Sequence, residues 1–89
     1  MYIITNTTYM NEYTPSTTDT LQEAKAWMQK CTADNLRAWK DGIIELENMS
    51  DEEIIQWAKE HESEFEYDEM HSLIVYGDFT YNRMQIYKI

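Results

Sequence analysis

The chain has one cysteine, Cys31, which excludes an intrachain disulfide and a cysteine-based zinc site. It has one proline, Pro15, and two glycines, Gly42 and Gly77, so ordered elements are expected over most of its length in place of linkers. No stretch approaches the ~18 consecutive apolar residues of a membrane span. The start, Met1-Tyr-Ile-Ile-Thr-Asn, lacks the basic residues and long apolar run of a signal peptide. A cytoplasmic location is the expectation that follows. Asn6-Thr-Thr and Asn48-Met-Ser fit the glycosylation pattern, but with no secretory signal they read as chance matches.

Basic residues are scarcest in the middle of the chain. Between Asp41 and Asp78 lie thirteen carboxylates (Asp41, Glu45, Glu47, Asp51, Glu52, Glu53, Glu60, Glu62, Glu64, Glu66, Asp68, Glu69 and Asp78) and one base, Lys59. Residues 1 to 40 balance at four acids and four bases, and residues 79 to 89 carry only Arg83 and Lys88. The segment carries −12, and the chain's net charge of −10 is set by it. A field of one sign costs self-repulsion, serves solubility or a partner, and disfavours direct contact with nucleic acid or anionic lipid. A basic partner protein fits it best.

An apolar fraction of 43% with three Trp, seven Tyr and two Phe supports a packed core, unlike a disordered acidic tail. Eighty-nine residues make one small domain, residues 1 to 89. Tyr2-Ile-Ile-Thr reads as a strand, and Thr7 to Asp19 as a polar loop. Thr20-Leu-Gln-Glu23 fits a capping box, and Leu21, Ala24, Met28 and Cys31 recur at helical spacing, predicting a helix over residues 20 to 31. Thr32 to Asn35 reads as its end.

Leu36, Trp39, Ile43 and Leu46 then follow a helical period, while Asp41-Gly42 is a hairpin signal. A helix over residues 34 to 47 is favoured, because Ile43-Ile44 breaks strict alternation, and the hairpin remains the alternative. Ser50-Asp-Glu-Glu53 is a second capping box, with Ile54, Trp57, Ala58 and His61 as the apolar stripe of a helix over residues 51 to 63. Leu73-Ile-Val-Tyr76 and Met84-Gln-Ile-Tyr-Lys-Ile89 read as strands on either side of a turn at residues 77 to 82. The expected fold class is α+β: a three-stranded antiparallel sheet from residues 1 to 6, 72 to 77 and 83 to 89, with two to three helices on one face.

No Ser-His-Asp arrangement in motif context, Gly-rich phosphate loop or HExxH motif occurs, so the chain is not expected to be an enzyme or to need a cofactor. His61 and His71 match no ligand spacing, and each reads as a core or boundary residue. The acidic run lacks the ligand alternation and central Gly of a calcium loop, so no metal is expected. Cys31 and the three tryptophans read as core.

The remaining candidate is Glu60-His-Glu-Ser-Glu-Phe-Glu-Tyr-Asp68, with an acid at every second position. In extended backbone alternate acids stand roughly 6.6 Å apart; in a continued helix Glu60, Glu64 and Asp68 stand roughly 6 Å apart. Both spacings resemble successive phosphates of a nucleic-acid strand, so such a row suits Arg and Lys side chains that hold phosphate. Solvation of an ordinary acidic face is the plainer explanation. Against it, Glu60, Glu62 and Glu64 crowd the negative end of a helix with only Lys59 nearby.

The candidate partner-binding residues are Glu60, Glu62, Glu64, Glu66, Asp68 and Glu69 for charge and Tyr67 for packing. Asp51, Glu52 and Glu53 follow in second rank. Tyr9, Tyr13 and Tyr76 add candidate aromatic anchors, whereas Phe65 reads as a residue that closes the core.

In size, α+β pattern, lack of disulfides and one-sided acidity, the chain resembles the small phage-encoded inhibitors that imitate nucleic acid, including anti-CRISPR and anti-restriction proteins. The resemblance is one of character over the whole chain, with no aligned residues, so no functional residue is carried over. It implies binding in the basic nucleic-acid groove of a bacterial nuclease. Acidic immunity proteins to nuclease toxins share that physics. An adaptor whose acidic run is only solvated is the alternative, and a divalent-metal binder a third reading.

Overall fold

The computed structural model describes residues 1–89. It is α+β, with helices α1 (Leu21–Trp39), α2 (Ile44–Glu47) and α3 (Asp51–His61). The sheet is antiparallel with five strands rather than three: β1 (Tyr2–Thr8), β2 (Ser16–Thr18), β3 (Glu66–Tyr67), β4 (His71–Tyr76) and β5 (Phe79–Lys88), in the order β2-β1-β5-β4-β3. The three expected strands form its centre. The two additions are short edges of three and two residues, too brief to show an alternating pattern. Part of the expected loop over residues 7 to 19 is thus paired, through Ser16 to Thr18 on β1.

Both capping boxes form. Thr20 Oγ1 accepts from the Glu23 amide at 3.1 Å while Glu23 accepts from the Thr20 amide at 3.2 Å. Ser50 and Glu53 do the same at 3.2 and 3.1 Å. Each satisfies two amides that a helix start otherwise leaves unpaired.

The expected break at Thr32 to Asn35 is absent, and α1 runs on to Trp39. The reason is tertiary. Thr32 faces the sheet, where its hydroxyl donates to Ser72 Oγ at 2.8 Å in the core, and Ala33 and Leu36 are also buried. Ala24, Met28, Thr32 and Leu36 form the inward stripe, which leaves Cys31 only half-buried beside it. Partial burial still raises the Cys31 thiol pKa, and the nearby Asp34 carboxylate adds to the effect.

Residues 34 to 47 form neither one helix nor a hairpin. Ile43 donates its amide to the Lys40 carbonyl at 3.0 Å, and Gly42 sits at φ +94°. That positive φ at the third residue of a turn needs glycine, so the helix stops there and the short α2 follows. Leu46 is buried, and Ile44 faces solvent. The last helix ends at His61, two residues early, because Glu62 turns extended.

Strands β4 and β5 are joined by Gly77 and Asp78 alone, with Gly77 at φ +61°. Glycine at the first position of a two-residue loop is the type II′ pattern, so most of the expected turn at residues 77 to 82 is strand. The register slips between Ile74 and Val75, where Ile74 pairs with Asn82 but Val75 with Thr80. Tyr81 is the extra residue, and the bulge lets it pack against the helix-side core beside Asn82.

The core has two parts. Ile4, Ala24, Met28, Met84 and Ile86 join α1 to the sheet centre, while Ala33, Leu36, Leu46, Ile54, Ile55, Ala58, Phe65 and Ile74 join all three helices to β4. The tryptophans, expected in the core, are half-buried and pack against its rim. No helix is long and apolar enough to cross a membrane.

Candidate partner-binding surface

Residues 60 to 69 leave the end of α3 and cross to β3, an edge of the sheet. The acids of this segment form neither of the two even rows the sequence allows. Glu60 lies on the last turn of α3, where Gln56 Nε2 donates to it at 3.2 Å. Glu62 caps the helix, Glu64 lies in the turn that follows, and Glu66 is on β3. Asp68 accepts from the Met70 amide at 2.9 Å and closes the loop into β4. What fixes the segment is Phe65, buried in the core between two exposed glutamates.

His61 does not join the core. It is exposed, stacks on Trp57 at a centroid distance of 4.7 Å, and its Nδ1 lies 2.8 Å from the Trp57 carbonyl. A carbonyl only accepts, so Nδ1 carries the proton and shares a carbonyl that lies within the helical ladder of α3.

Helix α1 supplies cations that sequence proximity did not reveal. Arg37 donates to Asp51 at 2.9 Å, to Asp34 at 3.0 Å and to the Met49 carbonyl at 3.0 Å. Lys40, the C-cap of α1, pairs with Glu62, and both side chains are about four-fifths buried. Lys25 reaches Glu69 at 3.5 Å, an exposed pair worth little. Glu62 and Glu69 are therefore compensated, contrary to the expectation that only Lys59 stands near. Lys59 itself lies over the Tyr67 ring at 5.6 Å.

Among the second-rank residues, Asp51 is held by Arg37 and Glu53 is used in its capping box. The Ser50 amide, and then its hydroxyl, hold the Glu53 carboxyl below its ordinary pKa. Only Glu52 of the three is exposed without a base or a capping role.

Tyr67 is half-buried, packs against both parts of the core and lies parallel to Phe65 at 6.3 Å. Burial raises its hydroxyl pKa. It lines an open depression of about 280 Å³ with Lys25, Lys59, Asp68 and Glu69. Its first task is structural.

Ten carboxylates of the segment remain exposed with no base within 4.0 Å: Asp41, Glu45, Glu47, Glu52, Glu53, Glu60, Glu64, Glu66, Asp68 and Asp78. No group of three or more His, Cys, Asp or Glu side chains converges to hold a metal ion. No protein-family model, curated protein or solved structure matches the chain.

Ten uncompensated charges repel one another in the folded state more than in an expanded one. Raising sodium chloride from about 0.01 to about 0.1 M shortens the screening length from about 30 to about 10 Å. The melting temperature is expected to rise by several degrees over that range. A flat or falling salt profile, read by circular dichroism, would show that repulsion does not limit stability.

The sequence reading did not nominate Trp39, Phe79 or Tyr81, which gather with Tyr9 and Tyr76 at one end of the molecule. A usable signal was present: Tyr76 and Phe79 flank a two-residue glycine turn, the spacing that pairs them across a hairpin.

Proposed function

We propose that the protein is a non-enzymatic inhibitor that occupies a basic, nucleic-acid-binding cleft of a partner protein. A bacterial nuclease met in the cytoplasm, in the manner of the anti-CRISPR and anti-restriction proteins it resembles, is the partner this reading favours. The observation that carries it is the set of exposed, unpaired carboxylates on a folded scaffold. A cleft built to hold phosphates presents Arg and Lys at spacings that fixed carboxylates can meet, and complementary potentials speed encounter.

The charges assigned to the contact are Glu60, Glu64, Glu66 and Asp68, with Glu52, at the other end of α3, in second rank. Glu62 and Glu69 serve mainly to tie the segment to α1. The informative variant is therefore Glu60→Gln, Glu64→Gln, Glu66→Gln and Asp68→Asn together. The amides keep the acceptors used by Gln56 and Met70 while removing four charges.

The test is capture of partners from bacterial lysate at low salt, with a parallel high-salt wash and mass spectrometry. A nucleic-acid enzyme is expected that the salt wash releases and the four-site variant does not retain. Association is expected to slow by about 10- to 1,000-fold in the variant at low ionic strength. Full capture by a folded four-site variant would sink the assignment.

A second reading is favoured by the position of β3 at the sheet edge. Charged residues on an edge prevent pairing with another chain, and Glu66 is placed to do so. Under that reading the four-site variant self-associates, which sedimentation detects, and partner capture is unchanged.

A further inference from the structure

Five aromatic rings form a closed circuit at the β4–β5 turn. Tyr9 contacts Phe79 at a centroid distance of 5.2 Å, Phe79 contacts Tyr76 at 5.6 Å, and Tyr76 meets Trp39 edge-on at 5.6 Å. Trp39 stacks on Tyr81 at 6.0 Å, and Tyr81 on Tyr9 at 6.0 Å. The rings come from the end of α1, the chain just past β1 and both strands of the hairpin. Tyr81 and Trp39 root the circuit in the core, while Tyr9, Tyr76 and Phe79 are 59, 53 and 44% exposed.

Exposing three large rings at one spot is costly for a folded chain, and contiguous aromatic surface is the common core of a protein interface. Its surroundings indicate what covers it. Asp78 sits in the turn between Tyr76 and Phe79, and Asp41 lies two residues past Trp39; both are exposed without a base within 4.0 Å. Lys40 Nζ already lies 4.0 Å from the centre of the Trp39 ring. This end of the molecule thus holds one cation on an aromatic face. The two depressions in the surface lie elsewhere, beside Tyr67 and beside Tyr13. The circuit offers flat faces and ring edges flanked by carboxylates.

We propose that this aromatic end is a second contact site, and that it takes arginine side chains from a basic segment of the partner. Guanidinium is planar and weakly hydrated, so it stacks on an aromatic face while its edge donates to a carboxylate; ammonium stays hydrated and binds as a point charge. The acidic segment recognises the amount of positive charge, and the aromatic end recognises its chemical form. The inference rests on the reading that the partner is basic, but on different residues from the acids of residues 60 to 68.

The experiment titrates the full chain with an eight-residue arginine peptide and an eight-residue lysine peptide of equal charge, by calorimetry. The arginine peptide is expected to bind about tenfold more tightly. Tyr9→Ser with Phe79→Ser is expected to abolish that preference while leaving the binding of the lysine peptide unchanged. In the unaltered chain, the arginine peptide alone should shift the indole N–H resonance of Trp39, a readout that needs no aromatic substitution. The four-site acidic variant should weaken both peptides and keep the preference, so failure of either site is seen separately. Equal binding of the two peptides, or a preference that survives the double substitution, would overturn the proposal. So would a dimer that the double substitution dissolves, since a second copy of the chain would then be the occupant.

Discussion

Phe65→Ala is expected to lower stability by about 3 to 5 kcal/mol, the range for truncating a buried phenylalanine. In a domain of this size that corresponds to a fall in melting temperature on the order of 20 °C. Phe65 is the one fully apolar side chain between Glu60 and Tyr67, and it is buried against residues from all three helices and β4. Neighbouring side chains of extended backbone point to opposite sides, so Phe65 facing inward at the entry to β3 turns Glu66 outward, while Glu64 is exposed in the turn before it. The same ring that closes the core therefore aims Glu66. Urea denaturation checks the magnitude, and amide exchange over residues 64 to 68 checks the mechanism. Phe65→Leu, which keeps most of the apolar volume, should cost much less and preserve exchange protection. A cost below about 1 kcal/mol for Phe65→Ala would mean that the segment is held by its ion pairs instead.

Thr32→Val should cost about 1 to 3 kcal/mol, despite replacing one small side chain by another of similar shape. Thr32 and Ser72 are both fully buried, and their hydroxyls satisfy one another at 2.8 Å between α1 and β4. Removing the Thr32 hydroxyl strands that of Ser72 in the core. Adding Ser72→Ala removes both groups, and the double variant should recover most of the loss. The double-mutant cycle is the decisive measurement. An additive outcome, with the double variant worse than either single one, would show that each hydroxyl acts separately.

These two sites mark where reading the chain reached its limit. The Thr20 and Ser50 capping boxes, Ala24 and Met28 of the inward stripe of α1, and the central strands could be read because each depends on residues within a turn or two; Leu36 reads as part of a separate helix. Thr32 to Asn35 looked like a break because polar residues compete with the helix backbone, and only a partner forty residues away on β4 makes Thr32 an interior residue. Asp41-Gly42 carries a hairpin signal inside a helical period, and the favoured helix over residues 34 to 47 runs across the point where α1 in fact ends. Neither the continuous helix nor the hairpin forms, because the turn at Gly42 redirects the chain so that Leu46 on α2 is buried. Strands β2 and β3 were invisible because three and two residues carry no periodicity, and the central sheet alone defines them as edges.

The candidate surface divides the same way. Its charge, its place between Asp41 and Asp78 and the presence of Lys59 as the one base within that stretch are properties of the sequence, and no fold could change them. Which of those acids are available was decided by packing. Arg37 finds Asp51 fourteen residues away, Lys40 finds Glu62, and Lys25 finds Glu69, because α1 lies against α3 and reaches the β3 edge. The aromatic circuit is more distant still, joining Tyr9 to Phe79 and Tyr81 across most of the chain. Charge sums along a sequence whatever its shape, and caps and stripes follow from neighbours within a few residues. Ion pairs and ring contacts need side chains within a few ångströms, and only the packing of helix on sheet brings these ones there.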